Sequence, residues 1–185
     1  MARIIGISGS LRAKSFNTAL LRSASALAPS GTTLEIAAIS GVPLYDGDVE
    51  RDRGVPAAVT ELKDRIAAAD GLLIATPEYN NAIPGVLKNT IDWLSRPAKD
   101  VARVFGDRPV VLMGASGGPG GTRLAQAAWL PVFRMLGARL WSGKVLYVAN
   151  ASQVFDEEGT LVDEKTKKAL EELVARFAAF ASTKG

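Results

Sequence analysis

Ile4-Ile5-Gly6-Ile7, followed at once by Ser8-Gly9-Ser10-Leu11-Arg12-Ala13-Lys14-Ser15-Phe16-Asn17, is an apolar run that breaks into a loop of small and polar residues and then into a helical pattern. A short run with apolar residues at both odd and even positions suits a strand buried on both faces. Similar runs recur at residues 72–75, 110–113 and 145–148, each followed by small or turn-forming residues, and a weaker one lies at 34–36. Helical spacing fills the intervals, over residues 16–27, from Pro56 onward, over 84–94, over 123–136 closing at Gly137, and behind Asp163. Strands alternating with helices predict an α/β chain, a five-stranded parallel sheet covered on both faces by right-handed crossovers. The polar stretches at 42–54 and 153–161 read as loops, and no repeat or interdomain linker interrupts the pattern, so one domain over residues 1–185 is expected.

The 185 residues are 48% hydrophobic and 22% charged, an ordinary globular composition. A chain of this length buries about 70% of the surface that it exposes when unfolded, so it needs no disulfide or metal staple. It contains no cysteine and no histidine. That excludes thiol nucleophiles, Ser-His-Asp triads, zinc sites of the usual ligand set and histidine acids. If the chain is an enzyme, a redox cofactor is the natural carrier of its reactivity. The apolar run in MARIIGISGS stops at Gly6, short of a secretion signal, and no run approaches the roughly 20 residues of a membrane helix. A cytoplasmic protein with no membrane partner is therefore expected. The net charge of +3 is spread along the chain, which reads as a solvated surface and not a nucleic-acid patch.

In an open parallel sheet, ligands bind beyond the carboxyl ends of the strands. Three loops at that edge are unusual. The first runs from Ser8 to Asn17 and offers hydroxyls at Ser10 and Ser15, an amide at Asn17, a cation at Arg12 and the free N–H groups of a helix start. Those are parts for holding a phosphate. An ordinary capped turn would need one Ser or Asn, and this loop has several. The motif is neither GxxxxGK[ST] nor GxGxxG. The second loop, Thr76-Pro77-Glu78-Tyr79-Asn80-Asn81-Ala82-Ile83-Pro84-Gly85, sets an aromatic ring and polar groups between stiffening prolines. That mixture suits a flat ring with polar edges, although composition alone equally fits a capped loop facing water. The third, Gly114-Ala115-Ser116-Gly117-Gly118-Pro119-Gly120-Gly121, is dense enough in glycine to let backbone approach a ligand.

Together, Gly9-Ser10-Leu11-Arg12 with Ser15-Phe16-Asn17, Thr76-Pro77-Glu78-Tyr79-Asn80 with Pro84-Gly85-Val86-Leu87-Lys88-Asn89 and Ile91-Asp92-Trp93-Leu94-Ser95, and the glycine loop at Ser116 resemble the NADPH-dependent FMN reductase family. That family includes chromate reductases, quinone reductases and related azoreductases. The resemblance covers nearly the whole chain. It implies a flavodoxin-like three-layer sandwich with strand order 2-1-3-4-5. It also implies FMN as cofactor, NADPH or NADH as hydride donor, and small acceptors (quinones, flavins, chromate, ferric or azo compounds) reduced by a ping-pong mechanism. On the same ground Ser10, Leu11, Arg12, Ser15, Phe16 and Asn17 would hold the FMN phosphate. Pro77, Glu78, Tyr79, Asn80 and Asn81, with Ser116, Gly117 and Gly118, would border the ribityl chain and the ring. No catalytic side chain or metal is implied.

Two departures qualify the match. Asn81 stands where several members carry an aromatic residue, and Arg123-Leu124-Ala125-Gln126 has one residue more than the Arg-Ala-Gln of many members, so no role is carried to Arg123 or Gln126. An electron-carrier flavodoxin serving protein partners is the alternative, but such carriers are usually acidic and this chain is not. The surplus of apolar residues between Ile83 and Leu94, with Trp93 among them, raises a partner subunit as one use for that helix and core packing as the other. The resemblance implies a homodimer or homotetramer.

Overall fold

The computed structural model describes residues 1–183. In chain order its elements are β1 (Ala2–Ser8), α1 (Phe16–Ala26), β2 (Thr32–Ala37), α2 (Gly47–Arg53), α3 (Ala57–Ala67), β3 (Gly71–Ala75) and α4 (Gly85–Leu94). There follow α5 (Val101–Val104), β4 (Pro109–Ala115), α6 (Arg123–Met135), β5 (Arg139–Leu140), β6 (Tyr147–Val148), α7 (Ala151–Val154) and α8 (Glu164–Ala181). The strands pair in parallel in the order β2-β1-β3-β4-β5, with β6 also on β4. This is the flavodoxin-like order that the resemblance implies.

Alternate side chains of the central strands feed two separate cores, which is why these runs are apolar at every position. Ile4, Leu73 and Val111 pack with Leu20, Leu173 and Phe177 beneath α1 and α8. Ile5, Leu72, Ile74 and Val110 pack on the opposite face with Leu62, Leu87, Ile91 and Phe133 beneath α3, α4 and α6. Ser15 caps α1 by accepting from the Thr18 amide at 3.3 Å, and Asp163 caps α8 by accepting from that of Thr166 at 2.7 Å.

The outermost strand differs from the expectation of one run over 145–148. It is split, with β5 opposite Pro109 and Val110 and β6 opposite Gly114 and Ala115. Trp141 still donates to the Val110 carbonyl at 2.8 Å and Leu146 accepts from Gly114 at 3.2 Å, so the chain leaves the sheet only between them. Gly143 tucks there beneath the Trp141 indole, where a Cβ would lie 2.6 Å from the ring. Val145 consequently faces solvent.

The stretch at 42–54, expected as a loop, holds a helix of seven residues, α2, capped by Asp46 and ended by Gly54 at φ 77°. None of its residues is buried, so it lacks the apolar periodicity that would reveal it. The segment before it covers Trp93. The indole N–H donates to the Pro43 carbonyl at 2.9 Å, and the Tyr45 ring meets the indole edge-on at 5.0 Å. Trp93 is 0% exposed, which assigns it to the core of this chain and removes it as a subunit-facing residue.

Lys63 of α3 is buried as well, its Nζ donating to the Asp100 carboxylate at 3.0 Å and to the Arg96 carbonyl. The Lys63 bond holds the Asp100 carboxyl below its ordinary range, against a smaller opposing effect of burial. A depressed carboxyl stabilises the fold above its unfolded value, about pH 3.9, and loses that contribution as pH falls through the folded value. Thermal melts should therefore show Asp100→Asn less stable than wild type at pH 7, with the gap narrowing toward pH 3. A gap independent of pH would refute the electrostatic account of this pair.

Candidate functional site

The three loops extend the ladders of β1, β3 and β4 past the sheet edge and are fastened to one another there. Gly9 donates to the Ala75 carbonyl at 2.8 Å and Thr76 to that of Met113 at 2.9 Å. Gly9 leaves room for the second loop, since a Cβ would come within 2.8 Å of both Pro77 and Leu87. A Cβ at Gly114 would fall on the Thr76 carbonyl oxygen and the Thr122 hydroxyl, so the second and third loops also touch through backbone. The Thr76 hydroxyl donates to the Pro77 carbonyl at 2.8 Å and accepts from the buried Trp129 indole at 3.1 Å.

In the first loop, Ser15 sits at the helix cap and Ser10 accepts from the Arg12 amide at 3.3 Å. Arg12 and Leu11 are exposed. Among the described residues, Arg12, Lys14 and Arg22 form no ion pair, and the first two stand just before α1. Phe16 stacks on Phe155 with ring centroids 5.8 Å apart. Asn17 is 3% exposed and spends its amide on β4, donating to the Ala115 carbonyl at 2.8 Å and accepting from the Ala115 N–H at 2.9 Å. It thereby clamps α1 to the root of the glycine loop.

The second loop turns sharply. Tyr79 and Ala82 exchange backbone hydrogen bonds at 3.2 and 3.0 Å around Asn80 and Asn81, whose φ values are 51° and 60°. Positive φ at both central residues is the pattern of a type I′ turn, and asparagine tolerates it far better than bulkier residues. The Tyr79 hydroxyl reaches Ser10 at 3.5 Å, linking this hairpin to the first loop. Pro77 is buried at its base. Glu78 reaches the third loop's helix, accepting from the amides of Leu124 at 2.8 Å and Ala125 at 3.0 Å.

In the third loop the Ser116 hydroxyl donates to the Gly121 carbonyl at 2.7 Å, and the Ser116 carbonyl accepts from Ala151 at 3.0 Å. Gly117 and Gly120 are different from the tightly packed glycines: a Cβ on either would find no atom within 4 Å, and on Gly118 only the Ser116 hydroxyl at 4.0 Å. Neither internal packing nor a left-handed φ requires glycine at these three places. Bare backbone open to solvent beside a phosphate-type loop is a cradle that a flat cofactor fits. Of the two residues without an assigned role, Gln126 is buried and ties Thr122 to the Leu146 carbonyl at 2.9 and 3.0 Å, while Arg123 lies over the exposed Tyr147 ring at 5.9 Å.

Two cavities adjoin the first loop. One of about 700 Å³ lies between Arg12, Lys14, Phe16 and Arg22 on one wall and Asp156 to Glu158 on the other; one of about 230 Å³ lies at the ends of β1 and β2 beside Ser8, Ser10 and Ser40. Each is lined by part of the first loop but neither by the hairpin or the glycine loop, so the hydrogen-bonded loop cluster as a whole is taken as the candidate site.

A family model for NADPH-dependent FMN reductase matches residues 2–153, a span that contains all three loops. The chain belongs to that family. This FMN reductase family member is an oxidoreductase by that membership. It is 41% identical over 170 residues to an NAD(P)H-dependent FMN reductase of Pseudomonas aeruginosa, covering 92% of this chain and 90% of the relative. It is 39% identical over 178 residues to a 2-hydroxy-1,4-benzoquinone reductase of a Burkholderia species, covering 96% and 95%. Among solved structures, the NAD(P)H:(acceptor) oxidoreductase FerB of Paracoccus denitrificans superposes with TM-score 0.86 at 32% identity, covering 98% of this chain and 97% of FerB. No described helix of the family member is long and apolar enough to cross a membrane.

Proposed function

We propose that residues 1–185 form a single cytoplasmic FMN-binding domain that oxidises NADPH or NADH and reduces quinones and other small acceptors in turn at one site. The observation that carries this reading is the pairing of a cationic helix start at Arg12 with the solvent-open glycines of the third loop, within 2–153, the span of the family match. Bound FMN supplies the hydride-accepting and electron-donating chemistry, for which a chain without cysteine or histidine has no side-chain substitute. The chain's task is to bind and orient. Arg12, Ser10, Ser15 and the free amides at the start of α1 attract the phosphate through charge, hydroxyl donation and the helix dipole. Tyr79, Asn80 and Asn81 on the hairpin, with the backbone of Ser116, Gly117 and Gly118 on the other loop, would border the ring. Asn17, bonded to Ala115 through its side chain, holds that geometry by tying α1 to the root of the glycine loop.

The quinone class is supported by the names of the Burkholderia and other relatives. Steady-state rates with both nicotinamides against a quinone, free flavin, a ferric chelate, an azo dye and chromate test it. Parallel double-reciprocal lines with a quinone are expected for the ping-pong order. A colourless protein that does not take up FMN would refute the whole reading.

Self-association belongs to the same proposal, now placed on α6 instead of Trp93. Leu124, Ala127, Pro131 and Met135 form a stripe along its outer face, with Leu124 53% and Met135 87% exposed, and its first turn is the one that Glu78 grips. A second copy of the chain would cover that stripe beside the site. Met135→Lys puts a cation at a helix end that favours one, so folding should be preserved while light scattering shifts from dimer or tetramer toward monomer. An unchanged mass would move the contact elsewhere.

A further inference from the structure

Helix α6 starts without a cap of its own. Thr122 at its N-cap makes no side-chain bond to the first turn, and that turn contains no acidic residue. The Thr122 hydroxyl is occupied as an acceptor from Gln126. The first helical residue is Arg123, a cation at the positive end of the helix dipole. The amides of Leu124 and Ala125 are satisfied from another loop, by Glu78, 46 residues before Leu124 in sequence.

We propose that Glu78 is a positioning residue, a cap in trans that fixes the Asn80-Asn81 hairpin against the glycine loop and so sets the width of the flavin groove. The inference rests on the FMN reading above and departs from the expectation that the Glu78 side chain contacts the cofactor. At 2.8 and 3.0 Å its two bonds are the shorter side-chain tie of the hairpin, since the Tyr79 hydroxyl meets Ser10 only at 3.5 Å. Glu78 directly precedes the turn residue Tyr79 and follows the buried Pro77, so movement of its carboxylate carries the hairpin with it.

Both bonds end on one oxygen, Oε2. A carboxamide oxygen can accept both amides, so the geometry of the cap depends on the length of the side chain more than on its charge. Glu78→Gln therefore keeps the tie. Glu78→Asp keeps the charge but withdraws the oxygen by one carbon–carbon bond, about 1.5 Å. Glu78→Ala removes both.

FMN titration of the apoprotein and NADPH–quinone turnover of the reconstituted enzyme should rank the variants. Wild type and Glu78→Gln should agree within about threefold, and Glu78→Asp and Glu78→Ala should bind FMN about tenfold or more weakly, with turnover falling in the same order. A carboxylate that touched the flavin or worked through its charge would reverse the ranking, with Asp above Gln, and that result overturns the proposal. So does Glu78→Ala binding FMN as wild type does. If Glu78→Ala fails to fold, the order of Gln and Asp alone decides. Failure of wild type to bind FMN would instead refute the functional reading, so the two failures are distinguishable.

Discussion

Gly117→Val is expected to melt within about 2 °C of wild type and to lose about a hundredfold in NADPH oxidation. The first half follows from the empty space around this residue. A Cβ there meets no protein atom within 4 Å, and the backbone is not in the left-handed region, so valine strains nothing inside the fold. Substitutions of that kind stay within about 0.5 kcal/mol, which is about 2 °C for a chain of this size. The second half follows from the proposed use of that space. If the glycine loop is the surface on which the flavin ring rests, two methyl groups displace the ring from the position in which it meets its donor, and a misplacement of about 1 Å at a reacting centre costs on the order of a hundredfold. Differential scanning calorimetry and stopped-flow bleaching of the flavin by NADPH read the two halves separately. Turnover equal to that of wild type would place hydride transfer away from Gly117.

Arg12→Ala should fold normally and bind FMN between about ten and a hundred times more weakly, since a charge-assisted bond to phosphate contributes about 1.5 to 3 kcal/mol. Its guanidinium forms no ion pair among the described residues, and its backbone bond to Ser10 survives the substitution. Nothing internal is lost. The deficit should shrink as ionic strength rises, because an exposed charge is screened over about 10 Å at 0.1 M salt. Fluorescence titration of FMN into the apoprotein at low and high salt measures both effects. Equal affinities at low salt would remove Arg12 from the phosphate site.

The central sheet and the loops at its edge were readable because burial on two faces writes itself into sequence as continuous apolar runs, such as Ile4 to Ile7 in β1 and the middles of β3 and β4. The outer features were less so. A helix such as α2, whose single large apolar residue, Val49, is only partly buried against the core, has no periodicity to read. Trp93 satisfied an apolar pattern without revealing whether its cover was a subunit or the chain's own Pro43 and Tyr45. Asn17 and Glu78 were recognisable as polar groups in the right loops, but their partners, Ala115 and the start of α6, are 98 and 46 residues away and leave no local signature. Sequence placed them at the site; only the fold distinguishes a group that faces a ligand from one that holds the walls apart.

The interrupted outer strand has a consequence for behaviour at high concentration. An exposed sheet edge is a template on which another chain can add a strand, the first step of fibril growth. Here one edge consists of two pieces of two residues each, separated by the excursion around Trp141, and neither is long enough to recruit a partner. The other edge, β2, carries Glu35, joined to Arg3 at 3.2 Å and Arg65 at 2.7 Å, so a docking strand would have to bury or break charged pairs. A broken margin and a charged one are both poor templates for strand addition, which disfavours growth of the sheet from copy to copy through its backbone.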